Sequence, residues 1–321
     1  MINLKKILKT SALFLSLATA SVNAQNVKIV AAGDVMLGRV FNSEKIYPFK
    51  NLENILKEAD IAVCNLEAPF TTKEKKLPKK INFKANPENV DYLKRAGFDV
   101  VSLANNHAMD YQADGLKDTI AILDKSSIAY CGAGSNIKNA REIKIIEKNR
   151  IKFAFLGYTT TYPEEMYASS KKPGVAYVKE EWIQEDIGRA KTLADIVIVS
   201  FHSGVEKSYS PTEKQKRLAR LAIDSGAKIV LGHHPHVLEG IEKYHNGLIA
   251  YSLGNFVFGT KGSLIKESAL LEINISTKGV ESYNFIPIDV SDGYRHQPKA
   301  AEGKAKEAIL KNIKKYSEYI K

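Results

Sequence analysis

Three of the chain's seven histidines fall within four residues, in the run Gly232-His233-His234-Pro235-His236. Gly232 lets the backbone turn sharply and Pro235 stiffens the turn, so His234 and His236 can aim at a common point. Imidazoles placed this way are candidate metal ligands. Further residues of suitable type stand at Asp34, Glu67, Asn105-Asn106-His107 and His202. Each is weak alone: Asp34 could be a turn residue or helix cap, the asparagines could be caps, and His202 could be a satisfied core histidine. Taken together, imidazoles, carboxylates and an amide oxygen suit Zn²⁺, Mn²⁺ or Fe. Ca²⁺ prefers shells of oxygen alone. One or two such ions would support hydrolysis by an activated water.

The same residues share a place in the chain's pattern. Apolar runs at 27–32 (VKIVAA), 61–64, 100–103, 196–201 and 228–231 each end in one of these polar groups. Open α/β sheets build sites this way, because the carboxyl ends of buried strands converge on one edge. Helical patterns at 52–58, 87–96, 115–126, 182–193 and 212–225 alternate with the strands, which predicts a layered α/β fold. Asn149-Arg150 marks a hairpin between 143–146 and 152–157. Late strands at 248–253 and 269–275 follow without intervening helices, so a mixed sheet or a second sheet is expected. The segment 71–84 (TTKEKKLPKKINFK) is lysine-rich with little pattern and predicts an exposed loop. In 301–321, Ile309, Ile313, Tyr316 and Ile320 recur at helical spacing, as in a helix docked on the body. A membrane-surface helix is the alternative.

The chain has 321 residues, 44% hydrophobic and 26% charged, enough to bury a sizeable core. Lys5, Lys6 and Lys9 precede an apolar stretch at 11–20 and the small-residue site Val22-Asn23-Ala24. This reads as a signal peptide cleaved near Ala24, making the protein exported, periplasmic or secreted. The domain division expected is a signal peptide at 1–24, a main domain at 25–295 and an amphipathic helix at 296–321. Without the three leader lysines, 44 basic residues face 36 acidic ones, a net charge of +8. An exported protein rarely meets nucleic acid. Acidic envelope polymers or phospholipid head groups are the partners such charge would serve, unless it is only solvated lysine surface. Cys64 and Cys131 sit in apolar strand-like segments, so buried free thiols are expected, although export would permit a disulfide.

Five segments carry a resemblance: GDVMLGR (33–39), NLEAPFT (65–71), SLANNHAMDYQADGL (102–116), FHSGVEKSYSPTEKQKRLARLAIDSGAKIVLGHHPHVLEGIE (201–242) and YSLGNFVFG (251–259). The sequence resembles the CapA family of bacterial capsule (poly-γ-glutamate) synthesis proteins, a branch of the calcineurin-like metallophosphoesterases. The resemblance implies an α/β fold, a four-layer α-β-β-α sandwich of two mixed sheets. It implies that Asp34 binds a first metal, that Glu67 bridges two, and that Asn106, His202 and His234 complete the second while His236 joins the first. His107 would be the candidate acid. Asn65, Asn105, Glu206, His233 and Asn255 would support the ligands or touch substrate. Asn255 also suits a plain turn, and Glu206 a surface acid.

The sequence departs from the broader superfamily pattern at Met36, where a histidine is usual, and at Glu67, where an aspartate bridges. The first metal therefore has fewer protein ligands than the second. Within the CapA branch, Ser203 stands where a tryptophan commonly follows His202, while Gln215 keeps the pattern. Two functions are compatible with these residues. One is a metal-dependent hydrolase acting on a phosphoester or amide bond of an envelope polymer. The other is a non-catalytic factor that binds an acidic polymer during synthesis or export, within a peripheral capsule-synthesis complex.

Overall fold

The computed structural model describes residues 26–259, 265–291, 293–294 and 296–320. The leader reading at 1–24 lies outside the described residues. In chain order the strands are β1 (Val27–Met36), β2 (Ile61–Leu66), β3 (Val100–Ser102), β4 (Ala129–Cys131), β5 (Ala133–Gly134), β6 (Lys144–Lys148), β7 (Ile151–Thr159) and β8 (Gly174–Val175). They continue as β9 (Ile196–His202), β10 (Ile229–His233), β11 (Ile241–Tyr244), β12 (Gly247–Ala250), β13 (Asn255–Phe258), β14 (Glu267–Ser276), β15 (Gly279–Asp289) and β16 (Lys299–Ala300). The helices are α1 (Val40–Glu44), α2 (Glu53–Lys57), α3 (Val90–Ala96), α4 (Gln112–Lys125), α5 (Ile137–Ala140), α6 (Glu180–Leu193), α7 (Glu213–Ser225) and α8 (Gly303–Glu318).

The first sheet runs β16-β15-β14-β1-β2-β3-β4, with β13 added against the end of β1. The second runs β11-β12-β10-β9-β7-β6. Both are mixed. In the first, β1 to β4 are parallel and β14 to β16 antiparallel; in the second, β7, β9, β10 and β12 are parallel with antiparallel edges. The parallel strands are continuous apolar runs because both of their faces are covered.

Alternation along the strands divides the core into layers. Ile29, Ala31 and Val63 of the first sheet meet Phe153, Ile198 and Ile229 of the second. On the outer face of the first sheet, Val30, Ala62 and Val101 pack with Leu56, Leu93, Leu116 and Leu123 from α2 to α4. On the outer face of the second, Ala154, Val197 and Val199 pack with Ile183, Ile187, Leu218 and Ala222 from α6 and α7. The order helices, sheet, sheet, helices is the four-layer sandwich expected. Truncating a buried leucine such as Leu93 to alanine in these layers costs about 2–5 kcal/mol.

Helix α7 shows how local sequence sets a boundary. Thr212 accepts from the Gln215 backbone N–H, and Gln215 Oε1 accepts from the Thr212 backbone N–H, a reciprocal cap. Gly226 ends the helix in the left-handed conformation. Asn149 and Arg150 turn the β6-β7 hairpin with φ of 50° and 63°. The C-terminal helix starts at Gly303, later than the 296 boundary, because Lys299–Ala300 first adds strand β16 to the sheet. Its Ile309, Ile313 and Tyr316 pack on Leu238 and Ala269. Cys64 and Cys131 are free and buried. No helix among the described residues is long and apolar enough to cross a membrane.

Candidate metal centre

The site forms where carboxyl ends of strands from both sheets meet. Strand β1 pairs with β14 as far as Ala31, and with β13 from Asp34 onward. Gly33 sits at this change of partner, where an added Cβ would lie 1.9 Å from the Gly254 carbonyl oxygen. That oxygen accepts the Asp34 N–H at 2.9 Å, which fixes Asp34 at the kink. Gly232 does the same for β10: a Cβ there would lie 1.9 Å from the Tyr251 carbonyl oxygen. Beyond it, His234 and His236 take φ of 98° and 62°, a region that non-glycine residues seldom occupy.

The first sheet supplies a buried polar chain. Asn105 Nδ2 donates to Asn65 Oδ1 at 2.9 Å. Asn65 Nδ2 in turn donates to Asp34 Oδ1 at 2.9 Å and Glu67 Oε2 at 3.0 Å. Asn105 Oδ1 accepts the backbone N–H groups of His107 and Ala108, which shapes the loop after β3. Asn65 and Asn105 therefore orient the carboxylates and the Asn106-His107 loop from behind. The second sheet adds its imidazoles across the seam. His202 Nε2 lies 2.8 Å from Asn106 Oδ1, and His236 Nδ1 lies 3.1 Å from Asp34 Oδ2. The His202 and His234 ring centroids are 4.8 Å apart.

These residues satisfy a metal's requirements. Ligand atoms of Asp34, Glu67 and His236 all lie within 4.8 Å of one another. Asn106, His202 and His234 gather beside them. Glu67 Oε1, His202 Nδ1 and His234 Nδ1 are buried and make no hydrogen bond to any described residue. Unpartnered buried polar atoms are costly unless something else satisfies them. Carboxylate, amide and imidazole donors gathered in this way are of the types that could hold a metal ion.

The electrostatics agree. Burial would raise the Asp34 pKa, but contacts with His233 and His236 outweigh it and hold the carboxyl well below its usual range. Burial pushes Glu67 well up, with the charges of Asp34 and Glu206 adding to it. Burial drives His202 well down and takes His234 to about 4, so both imidazoles are neutral ligands at neutral pH. Burial alone would lower His236, yet Glu67 and Asp34 raise it to about 10. Without a cation the acidic cluster holds a proton there in place of one.

The structure also brings in residues that the sequence patterns missed. The lysine-rich segment 71–84 is expected to be an exposed loop, yet its centre is built into the site. Leu77 and Phe83 are buried, and both backbone N–H groups bond to Asp110. Lys79 reaches in to pair with Asp110, donates to the Asn106 carbonyl, and lies 3.2 Å from His107 Nδ1. The apolar Leu77 and Phe83 among the lysines were the available signal. His107 Nδ1 also lies 2.7 Å from Asp110 Oδ2, and the Phe83 ring covers the imidazole at 4.2 Å. Burial lowers the His107 pKa against the opposing pull of Asp110, which favours the neutral imidazole.

Asn255, open to a supporting role or a plain turn, starts β13 in register with Asp34 and places Oδ1 3.0 Å from His236 Nδ1. His233 Nδ1 lies 3.3 Å from Asp34 Oδ1. Met36, at the position of the usual histidine, is fully buried in the core with its sulfur 3.2 Å from the Gly38 N–H. A cavity of about 530 Å³ adjoins Asn106 and His234, walled by Thr160, Thr161, Tyr162, Ser203 and Lys214. The segment directly after β7 supplies Thr160, Thr161 and Tyr162, so the strand-end rule that found the ligands applies to β7 as well.

Comparison with known proteins agrees with the fold. A family model described as "Bacterial capsule synthesis protein PGA_cap" matches residues 28–260. The capsule biosynthesis protein CapA of Bacillus anthracis is 34% identical over 282 residues, covering 84% of this chain and 69% of that one. The PGA biosynthesis protein CapA of Bacillus subtilis strain 168 is 35% identical over 297 residues, covering 89% and 77%. Among solved structures, the NAD nucleotidase of Haemophilus influenzae superposes with a TM-score of 0.52 at 13% identity, over 91% of this chain and 56% of that longer one. The 5'-nucleotidase precursor of Thermus thermophilus gives 0.51 at 13%, over 92% and 59%. At such identity these two establish the sandwich fold alone. The chain belongs to the PGA_cap family of bacterial capsule synthesis proteins, the CapA-type branch of the metallophosphoesterase-like fold.

Proposed function

We propose that this protein is an exported metal-dependent hydrolase serving capsule or poly-γ-glutamate synthesis. Its substrate would be a phosphoester or amide bond in an envelope polymer. The observation that carries this reading is the convergence of Asp34, Glu67, Asn106, His202, His234 and His236, with three buried donor atoms left unpartnered. One or two divalent ions, Mn, Zn or Fe, held by these residues would supply Lewis acidity toward the scissile group and a water.

The chain's own groups have separable roles. Asp34 and Glu67 provide negative charge, and Asn65 keeps them aligned. His202 and His234 stay neutral and ready to donate lone pairs. With Nδ1–H held by Asp110, His107 keeps Nε2 for proton exchange with a leaving group. Being neutral, it accepts a proton before it returns one. The cavity beside His234 offers hydroxyls and the Lys214 ammonium to an anionic polymer segment. Export through the leader at 1–24, and work within a peripheral capsule-synthesis complex, belong to the same reading.

The second reading, a polymer-binding assembly factor, draws on two observations. A buried methionine stands at the position of a usual ligand, and the relatives are named for biosynthesis rather than hydrolysis. Metal analysis of the purified protein beside an Asp34→Ala, His234→Ala double variant tests both. Bound metal that the double variant loses, with turnover of a phosphodiester or of poly-γ-glutamate that it also loses, supports the hydrolase. Metal with polymer retention and no turnover supports the assembly factor. Negligible metal in the unaltered protein sinks the hydrolase.

A further inference from the structure

We infer that Glu206 is itself a metal ligand, a carboxylate that joins His234 and His236. The inference rests on the metal-binding reading above and adds to it a residue that the strand-end pattern does not deliver. Glu206 follows β9 by four positions, on the turn after His202. One of its carboxylate oxygens and one ring nitrogen each of His234 and His236 lie within 4.8 Å of one another.

The backbone holds the side chain there. Gly204 and Lys207 flank Glu206 with φ of 113° and 63°, so the chain doubles back around it. The Lys207 N–H donates to the Pro235 carbonyl at 2.8 Å, which fastens this turn to the His234-Pro235-His236 loop. A side chain at Gly204 would meet Gln215, so the turn keeps this path only with glycine at that position. A surface acid needs no such anchoring, and a left-handed lysine at 207 is costly to keep.

Donor and charge chemistry point the same way. His234 Nδ1 is buried and makes no hydrogen bond to any described residue. Glu206 adds a negative charge that Glu67 feels, a repulsion that a shared cation relieves. An added oxygen donor also makes the site harder, favouring Mn²⁺ relative to Zn²⁺. Glu206 is exposed and lines the cavity with His234, so an ion it touches would sit at the cavity mouth, open to substrate.

The test is calorimetric titration of the metal-stripped full chain with Mn²⁺, with bound ions counted by atomic emission. Wild type is compared with Glu206→Gln and with Glu213→Gln, which removes an exposed acid from the first turn of α7. The expected result is that Glu206→Gln weakens at least one bound equivalent tenfold or more, or abolishes it, while Glu213→Gln matches wild type. Equal binding in wild type and Glu206→Gln overturns the ligand assignment and leaves the metal site standing. Equal weakening in both variants also overturns it, because the effect is then one of long-range charge. A wild-type chain that binds no Mn²⁺ overturns this inference together with the metal reading.

Discussion

His236 Nδ1 lies 3.1 Å from Asp34 Oδ2, joining residues 202 positions apart and one sheet to the other. In the metal-free protein Glu67 and Asp34 hold a proton on His236 up to about pH 10. An ion must displace that proton to use the ring. Because burial also pushes Glu67 well up, metal binding near neutral pH should release at least one proton, and affinity should rise at least about tenfold per pH unit. Calorimetry in two buffers of different ionisation enthalpy measures the release. A binding enthalpy independent of buffer would count against the assignment of His236.

A second prediction concerns Glu239, beneath the cavity. Burial raises its pKa from 4.5 to about 8, against the opposing hydrogen bond from Gln215 Nε2. The folded state thus binds this proton more tightly than the unfolded chain does. The associated stability is fully present below about pH 4.5 and is lost as pH rises through about 8. Glu239→Gln should flatten the decline in melting temperature between mildly acidic and mildly alkaline pH, and should be the more stable protein at the alkaline end. Parallel pH profiles for the two proteins would refute this.

Lys79 has 14% of its side chain exposed, and its partner Asp110 is fully buried. Lys79→Met leaves that carboxylate without its cation and should cost about 3 kcal/mol of stability. The Lys79→Met, Asp110→Asn pair should recover part of the loss, because the stranded charge is gone. Denaturant unfolding of the three proteins decides. A single variant as stable as wild type would mean that the loop is not held by this pair.

Gly33→Ala forces β1 away from the Gly254 carbonyl that accepts the Asp34 N–H. The expected cost is about 1–3 kcal/mol in stability, together with weakened metal binding through displacement of Asp34. Val30→Ala, in the same strand but on the opposite side of the kink, should lose stability with metal affinity unchanged. The contrast between the two separates positioning from general destabilisation.

The fold was legible because its signals are local. The runs 27–32, 61–64, 196–201 and 228–231 are apolar enough to be strands buried on both faces, and the helices between them show their own periodicity, with a reciprocal cap on α7. Asp34, Glu67, Asn106, His202 and His234 were legible through their shared place at strand ends. What was missed depends on contacts made across long stretches of chain. Lys79 looked like solvent-facing charge, because only folding brings it to Asp110. Asn255 stayed open between a supporting role and a plain turn, because its register with Asp34 belongs to β13, whose pairing no local pattern announces.

The seam between the sheets has a consequence for how the protein holds together. Asp34, Glu67 and Asn106 belong to the first sheet and its loops; His202, His234 and His236 belong to the second. Neither half of the chain owns a complete centre. A fragment ending before Ile196 would keep every carboxylate and amide of the six and none of the three imidazoles. An occupant of the site would act as a rivet between two slabs, and drawing it out would loosen their junction before either slab came apart.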